Sequence, residues 1–373
     1  MMGTFTDPVL DSCKMEPDHP YYITQPGHYN SGQKFPLVIV IDPHGDGFSG
    51  MQKFKDALKG LPVVIAGSMK LENNVAGFEG SLENLKNDLL TKYPVDPAKV
   101  IVAGFSGGAR MALYYGMKNP VYGIIMFGAG PGRLIDGFTQ KQIYGVSGTR
   151  DFNFVEQYRP LFNDIGANSK YVNDYFRGTH AWPPEQTIRE AVVFSLREAS
   201  EPYLALSLEF SEKFLEESDS LQRLNDLFFA GKALEKAWYF AAGSPQQKRL
   251  SGKINTFRSN SGWLACQEKI ESLLKAEDQM KHLYAEHLVE PDTAWWSKEL
   301  NSLFTQISVC KDPAEKDYYY RLKGFLGIYL YSQINNLLNK KDSGDLIKRL
   351  IWIYEQVEPD SPDLVRFKTS VFS

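Results

Sequence analysis

Short apolar segments alternate with helix-forming segments between residues 35 and 199. The apolar segments, rich in β-branched residues, lie at residues 37–41, 63–66, 100–103, 123–127, 142–146 and, in a more amphipathic form, 170–176. Helical spacing or helix-forming composition marks residues 51–58, 81–90, 109–113 and 184–198. This alternation predicts an α/β fold in which helices cover both faces of a mostly parallel sheet.

Composition divides the 373 residues into three predicted parts. Residues 1–35 are rich in Pro, Asp, Asn and Tyr, which predicts an irregular lead-in that could include a short edge strand at residues 21–24. Residues 36–199 form the predicted α/β domain. Residues 200–373 contain little glycine and carry leucine and aromatic residues at helical spacing, which predicts an all-α domain. Its last stretch, IKRLIWIYEQVEPDSPDLVRFK, is typical of tetratricopeptide-like hairpins, but no clean repeat of about 34 residues accompanies it.

Charge and cysteine content limit the classes of partner and location. The formal net charge of −4, without a run of Lys or Arg, argues against nucleic acid as a partner. No stretch is apolar for long enough to span a bilayer. The three cysteines are widely separated and fit neither a zinc pattern nor a disulfide framework. No signal peptide is visible, which leaves two locations open: cytoplasmic, or periplasmic or cell-envelope if an export signal has been removed.

A serine stands at the centre of a predicted strand, tight turn and helix. Gly104, Phe105, Ser106, Gly107 and Gly108 separate the apolar residues 100–103 from the helix-forming residues 109–113. Such a turn holds one side chain in a strained backbone geometry above the sheet, and the glycines allow chain segments to approach closely. A Gly-x-Ser-x-Gly motif also occurs in ordinary glycine-rich turns. The strand before it and the helix after it favour a nucleophilic serine.

A serine nucleophile needs a base to take its proton and a third group to orient that base. Asp151 follows the strand predicted at residues 142–146, and His180 follows the strand predicted at residues 170–176. The resulting order of Ser, Asp and His along the chain predicts His180 as the base and Asp151 as the orienting acid. Other acids and histidines are less well placed in the predicted fold: Asp136, Asp164, His282 and His287.

Two backbone amides are predicted to stabilise the negative charge that develops on the substrate oxygen. One belongs to Gly107, directly after the serine. The other belongs to the loop after the first core strand, which contains His44, Gly45, Asp46 and Gly47. The amide of Asp46 is favoured there, and those of Gly45 and Gly47 remain alternatives.

Three further patterns suggest other kinds of binding site. Residues 128–132 faintly match a dinucleotide fingerprint, but Arg133 occupies the position of its third glycine and no suitable acidic partner follows. Asp42, His44 and Asp46 alternate as metal ligands can, although turn-forming acids explain the same residues. No cofactor and no metal are therefore expected. A sugar-binding or partner surface could include five tryptophans that are more commonly core residues: Trp238, Trp263, Trp295, Trp296 and Trp352.

Residues 35–199 resemble the α/β-hydrolase superfamily, and within it the small esterases of the feruloyl-esterase, polyhydroxybutyrate-depolymerase and dienelactone-hydrolase type. The matching residues are His44 and Gly45, the motif at residues 104–108, Asp151 and His180. The resemblance implies a cofactor-free serine esterase, of the carboxylesterase kind, that acts on a small-molecule or saccharide-linked ester. The C-terminal helical domain is an addition to that family pattern.

Two alternative functions stay open at this point. The first is a serine peptidase or amidase of the same fold, although peptidase relatives usually carry a large propeller or cap domain that this sequence lacks. The second belongs to another class: a catalytically inactive hydrolase-fold protein that binds or scaffolds partners through its helical domain. An intact set of Ser106, Asp151 and His180 argues against the second alternative.

Overall fold

The computed structural model describes residues 4–28, 30, 32–131, 141–159, 170–290, 292–341 and 344–372. The chain divides into two compact units. Unit 1 comprises Met1–Gly148, Asn153–Phe176 and Ala181–Trp263, and unit 2 comprises Thr149–Phe152, Arg177–His180 and Leu264–Ser373. Two short loops from the first half of the chain therefore group with the C-terminal helices.

Unit 1 contains a mostly parallel sheet of eight strands. The strands are β1 (Val9–Cys13), β2 (Glu16–Thr24), β3 (Phe35–Ile41), β4 (Val64–Ser68), β5 (Val95–Phe105), β6 (Gly123–Phe127), β7 (Gln142–Gly148) and β8 (Tyr171–Phe176). Their order is β1-β2-β4-β3-β5-β6-β7-β8. The strands from β3 to β8 pair in parallel, whereas β1 and β2 are antiparallel additions at one edge. The predicted α/β class with a mostly parallel sheet is confirmed.

Helices cover both faces of this sheet. They are α1 (Gly47–Ala57), α2 (Phe78–Lys92), α3 (Gly107–Lys118), α4 (Phe154–Tyr158), α5 (Glu185–Leu196), α6 (Glu201–Arg223), α7 (Leu227–Phe240) and α8 (Pro245–Arg258). Val38 and Val40 of β3 pack in a core with α1 and α5 to α8, while Leu37 and Ile39 pack in a second core with α2 and α3. Successive side chains of a strand point to opposite faces, so both faces are buried.

The N-terminal region is more regular than the predicted lead-in. The short edge strand predicted at residues 21–24 lies within the longer β2, which pairs with β1 on one side and with β4 on the other. Pro17 and Pro20 suggested irregular structure, but both precede residues 21–24, where β2 pairs with β4. Pro17 also lies where the register between β1 and β2 shifts, and proline is tolerated at such irregular positions. Tyr21 and Ile23 alternate as buried residues and fix this strand on the sheet.

The helices α6, α7 and α8 belong to unit 1, although the predicted domain boundary lies at residues 199 and 200. Phe240 of α7 contacts Tyr144 of β7 and Phe194 of α5, with ring centroids 6.4 and 5.7 Å away. Lys236 of α7 is paired with Asp174 of β8 at 3.1 Å and with Glu190 of α5 at 2.8 Å. Apolar packing and a buried charge cluster thus join these helices to the sheet.

Unit 2 is built mainly from helices. They are α9 (Ser261–Val289), whose first residues lie in unit 1, α10 (Thr293–Val309), α11 (Pro313–Asn339), α12 (Asp345–Val357) and α13 (Pro362–Phe372). Leucine, isoleucine and aromatic side chains from these helices form a separate core. No helix within the described residues has the length and hydropathy needed to cross a membrane.

The five tryptophans considered as a binding surface are buried in, or packed against, hydrophobic cores. Trp263 and Trp296 are buried. The other three, Trp238, Trp295 and Trp352, are partly buried and pack against a core. Burial on this scale leaves little flat aromatic surface for a sugar ring. These side chains are better explained as core than as a saccharide platform.

Candidate active site

Ser106 lies at a tight turn between the end of β5 and the start of α3. Its backbone has φ 52° and ψ −116°, in a region that residues other than glycine seldom adopt. Its N–H donates to the carbonyl of Phe127 on β6 at 2.8 Å, and its own carbonyl accepts from the N–H of Ala109 and of Arg110. Neighbouring backbone therefore holds a half-buried serine in a strained conformation at the N-terminus of a helix.

The two glycines of the Gly-x-Ser-x-Gly motif lie where backbone segments meet. A Cβ on Gly104 would stand 2.3 Å from the carbonyl carbon of Gly108, and a Cβ on Gly108 would stand 2.2 Å from the carbonyl oxygen of Ile41. Backbone atoms cannot move aside as a flexible side chain can. The motif therefore requires glycine at both positions to bring α3 against β3 and β5.

The substitution Gly108→Ala is expected to lower the free energy of unfolding by about 1–3 kcal/mol, since overpacking forces the backbone to shift. Gly80→Ala is the matched control, because a Cβ at this helical position meets no atom within 4 Å. The control is expected to raise stability by up to about 1 kcal/mol through helix propensity. Chemical denaturation of the two variants measures both changes, and equal stability of the two would contradict this account of the turn.

The loop after β3 presents the predicted second part of the oxyanion site. The N–H groups of His44 and Gly45 are already used, since they donate to the side chain and the carbonyl of Asp42 at 2.8 and 3.2 Å. Asp46 caps α1, and its carboxylate accepts from the N–H of Ser49 at 3.0 Å. Amides at the start of a helix have no partner within the helix. The amide of Asp46 is therefore better suited to bind a ligand than that of Gly45.

The amide of Gly107 has the corresponding position at the start of α3. Ile41 and Gly104 are paired in the parallel strands β3 and β5, so the loops after these strands leave the sheet side by side. Two helix N-termini, at Asp46 and Gly107, thus begin at neighbouring strand ends. Helix N-termini favour negative charge nearby.

The acids of the loop after β3 have roles within the loop itself. The carboxylate of Asp42 accepts from the N–H of His44. Hydrogen bonds from the side chain and the N–H of Ser49 lower the pKa of Asp46. Turn and cap formation therefore accounts for both acids. Among the described residues, no three His, Cys, Asp or Glu side chains are grouped so that they could hold a metal ion.

Asp151 and His180 form a hydrogen-bonded pair within unit 2. The Nδ1 atom of His180 lies 3.0 Å from each carboxylate oxygen of Asp151. The Asp151 side chain is fully buried, whereas the His180 side chain is 21% exposed. A carboxylate can only accept, so Nδ1 carries the shared proton, and in the neutral imidazole Nε2 then has the lone pair. This is the tautomer that a general base of this kind requires.

The loop after β6 argues against a nucleotide site. The N–H of Gly130 donates to the carboxylate of Glu156 at 3.1 Å, and a Cβ on Gly130 would stand 2.7 Å from the Glu156 carbonyl. Arg110 also pairs with this carboxylate, at 2.7 Å. A carboxylate therefore occupies the place where a phosphate would need free amides. The rest of the suggested motif, Gly132 and Arg133, lies outside the described residues, as do the alternative acids Asp136 and Asp164.

Two residues near the serine were missed by the sequence analysis. The N–H of Asn73 donates to the carbonyl of Pro43 at 2.8 Å, and its Oδ1 lies 1.6 Å from where a Cβ on Gly107 would stand. Trp182 stacks on the ring of Phe105, the residue before the serine, with ring centroids 5.2 Å apart. Asn73 lies in an ordinary turn-forming sequence and Trp182 in a predicted loop, so neither had a local signal.

The predicted site residues fall into two groups. Ser106, Gly107 and the loop at residues 44–47 belong to unit 1, and the Asp151–His180 pair belongs to unit 2. Along the chain, Ser106 follows β5, Asp151 follows β7 and His180 follows β8, each after the carboxyl end of a parallel strand. Ligand sites of open α/β sheets form at that end. Comparison with known proteins found no matching family model and no matching curated protein.

Proposed function

We propose that the protein is a serine hydrolase of the α/β-hydrolase type that cleaves carboxylic esters. The observation that carries the proposal is the left-handed backbone of Ser106, a non-glycine residue held at φ 52° between β5 and α3. Such strain persists only where the surroundings impose it, and it concentrates at functional sites. A serine presented in this way above a parallel sheet is the expected form of a nucleophile.

The Asp151–His180 pair supplies the base that this serine needs. In the proposed first step, Nε2 of His180 takes the proton of the Ser106 hydroxyl while Oγ attacks the ester carbonyl carbon. The buried carboxylate of Asp151 holds the imidazole by Nδ1 and stabilises its positive charge. The imidazolium then gives its proton to the leaving alkoxide, which departs as an alcohol and leaves an acyl group on Ser106.

Two backbone amides stabilise the tetrahedral intermediate in this proposal. They are those of Gly107 and Asp46, at the starts of α3 and α1. A fixed donor of this kind is worth about 3–4 kcal/mol in the transition state. In the second step, water attacks the acyl enzyme with His180 as base, and the carboxylic acid leaves. No metal or organic cofactor takes part in this scheme.

Esters are preferred to amides as substrates because of the family that residues 35–199 resemble. The same residues serve acyl transfer from either substrate class. The resemblance of residues 35–199 is to esterases, whereas peptidases of this superfamily usually carry a large propeller or cap in addition. A saccharide-linked ester stays within this proposal by family analogy only. We also propose that α12 and α13 form a tetratricopeptide-like hairpin that contacts a protein partner.

Rapid mixing with a series of nitrophenyl esters and the matching nitroanilides tests the proposed function. We expect a burst of about one equivalent of nitrophenol, because acyl enzyme accumulates when its hydrolysis is slower than its formation. Mass spectrometry of the quenched protein should place the acyl group on the peptide that contains Ser106. Faster turnover of anilides would favour the amidase alternative. If the folded protein shows no turnover and gains no acyl adduct, the binding or scaffolding alternative is favoured.

A further inference from the structure

The loops that carry Asp151 and His180 group with one face of α11 within unit 2. The residues of α11 that contact the loop at residues 149–152 are Asp317, Tyr320, Arg321 and Gly324. Spacings of three, four and seven residues place these side chains on one face of a helix. The loop that carries Asp151 is thus supported by helix residues that lie 167 and 172 positions later in the chain.

Arg321 makes the most deeply buried of these contacts. Its Nη1 donates to the carbonyl of Thr149 at 2.7 Å, and its Nε donates to the carboxylate of Glu277 on α9 at 2.7 Å. The side chains of Arg321 and Glu277 are only 4% and 1% exposed. A buried ion pair is tolerated only when its remaining donors and acceptors are satisfied. The carbonyl of Thr149, two residues before Asp151, is therefore a required partner of a buried charge.

Arg150 attaches both loops to the same helix. Its N–H donates to the carbonyl of Gly178 at 2.9 Å, which links the acid loop to the histidine loop. Its side chain pairs with Asp317 at 2.7 Å and lies over the ring of Tyr320, 4.6 Å from the centroid. One arginine therefore joins the backbone of both loops to a carboxylate and a ring of α11.

Phe152, the residue after Asp151, lies against His180 and close to α11. Its ring lies 4.4 Å from the imidazole of His180, measured between ring centroids. A Cβ added to Gly324 of α11 would stand 3.2 Å from this phenyl ring. The residues before and after Asp151 are thus each held by α11, and the second of them contacts the imidazole.

We propose that Arg321 is a positioning residue for the catalytic pair. By fixing the carbonyl of Thr149, it holds the Asp151 carboxylate at Nδ1 of His180, so that the C-terminal helical unit is a working part of the hydrolytic machinery. The catalytic consequence rests on the proposed function, whereas the effect on the Asp151–His180 hydrogen bond does not.

The full-length variants Arg321→Met and Arg349→Met test this inference. Arg349, on α12, is a matched control, because its guanidinium also donates to backbone carbonyls of unit 2, those of Leu288 and Val289 at 3.3 Å. Proton NMR of the resting protein reports the bonded Nδ1–H as a far-downfield signal, assigned by its loss in His180→Ala. We expect Arg321→Met to remove or shift this signal and Arg349→Met to keep it.

Steady-state kinetics give the second measurement on the same variants. We expect Arg321→Met to lower kcat by about 10²-fold with little change in KM, because a misplacement of about 1 Å at a catalytic group has that effect. Thermal unfolding shows whether each variant is folded. Should Arg321→Met not fold, Asp317→Asn, which weakens the more exposed pairing with Arg150, is expected to shift the same signal and to lower kcat by a smaller factor.

The two proposals fail in different ways. A folded Arg321→Met or Asp317→Asn protein with an unchanged downfield signal and unchanged kcat would overturn the positioning role. A wild-type protein that is inactive towards every ester, but whose signal still depends on Arg321, would overturn the proposed function and keep the positioning role. A parallel loss of signal in Arg349→Met would show general destabilisation of unit 2 and would also overturn the specific role of Arg321.

Discussion

Replacing Ser106 with alanine is expected to lower kcat/KM for ester hydrolysis by about 10⁴-fold or more, because the variant has no nucleophile to acylate. The remaining rate would come from the backbone amides at Gly107 and Asp46 and from substrate binding. KM should change little, since the hydroxyl makes its main contribution as the bond to the carbonyl carbon forms. Initial rates with the best nitrophenyl ester measure the loss.

Ser297→Ala is the matched control for this substitution. The hydroxyl of Ser297 donates to the carbonyl of Thr293 in its own helix, α10, and the residue is exposed. Wild-type activity is expected for this control. Retention of more than about a tenth of the rate in Ser106→Ala would mean that the protein hydrolyses esters through another residue.

The substitution Asp151→Asn is expected to lower kcat by about 10⁴-fold while the protein stays folded. An asparagine amide can donate to Nδ1 of His180, which would move the imidazole proton to Nε2. The nitrogen that faces the serine in the proposed mechanism would then be unable to accept its proton. Activity measured between pH 6 and pH 9 together with thermal unfolding separates this effect on the tautomer from a loss of structure.

Asp345→Asn provides the corresponding control for the aspartate. Asp345 begins α12 and its side chain is fully exposed. Its ion pair with Lys348 is exposed, and such pairs contribute little to stability. The control should therefore retain full activity and stability. Equal and small effects of the two aspartate substitutions would show that Asp151 does not orient the base.

The core of the α/β region was predictable because its signals are local. The segments predicted at residues 37–41 and 142–146 lie within β3 and β7, and the helix predicted at residues 81–90 lies within α2. Buried parallel strands are continuous apolar runs and amphipathic helices repeat every three to four residues, so each is visible in a short window. The turn around Ser106 was predictable for the same reason, since its glycines stand next to the serine.

The division into units was not predictable, because it depends on contacts between distant segments. The amphipathic helices α6 to α8 look like those of unit 2 in the sequence, yet Phe210, Phe214 and Phe240 pack in the core of the sheet. The hydrogen bond from Arg321 to the carbonyl of Thr149 joins segments 172 residues apart. A charged residue inside a helix is normally interpreted as exposed, and only tertiary structure shows that this one is buried.

Intact mass after incubation with a fluorophosphonate examines the proposed serine chemistry without any knowledge of the substrate. The wild-type protein is expected to gain one adduct, Ser106→Ala none, and Asp151→Asn and His180→Ala the same adduct at a much lower rate. That outcome would establish an activated serine at residue 106. Folded wild-type protein that gains no adduct, or that gains it equally in Ser106→Ala, would contradict the assignment of this protein as a serine hydrolase.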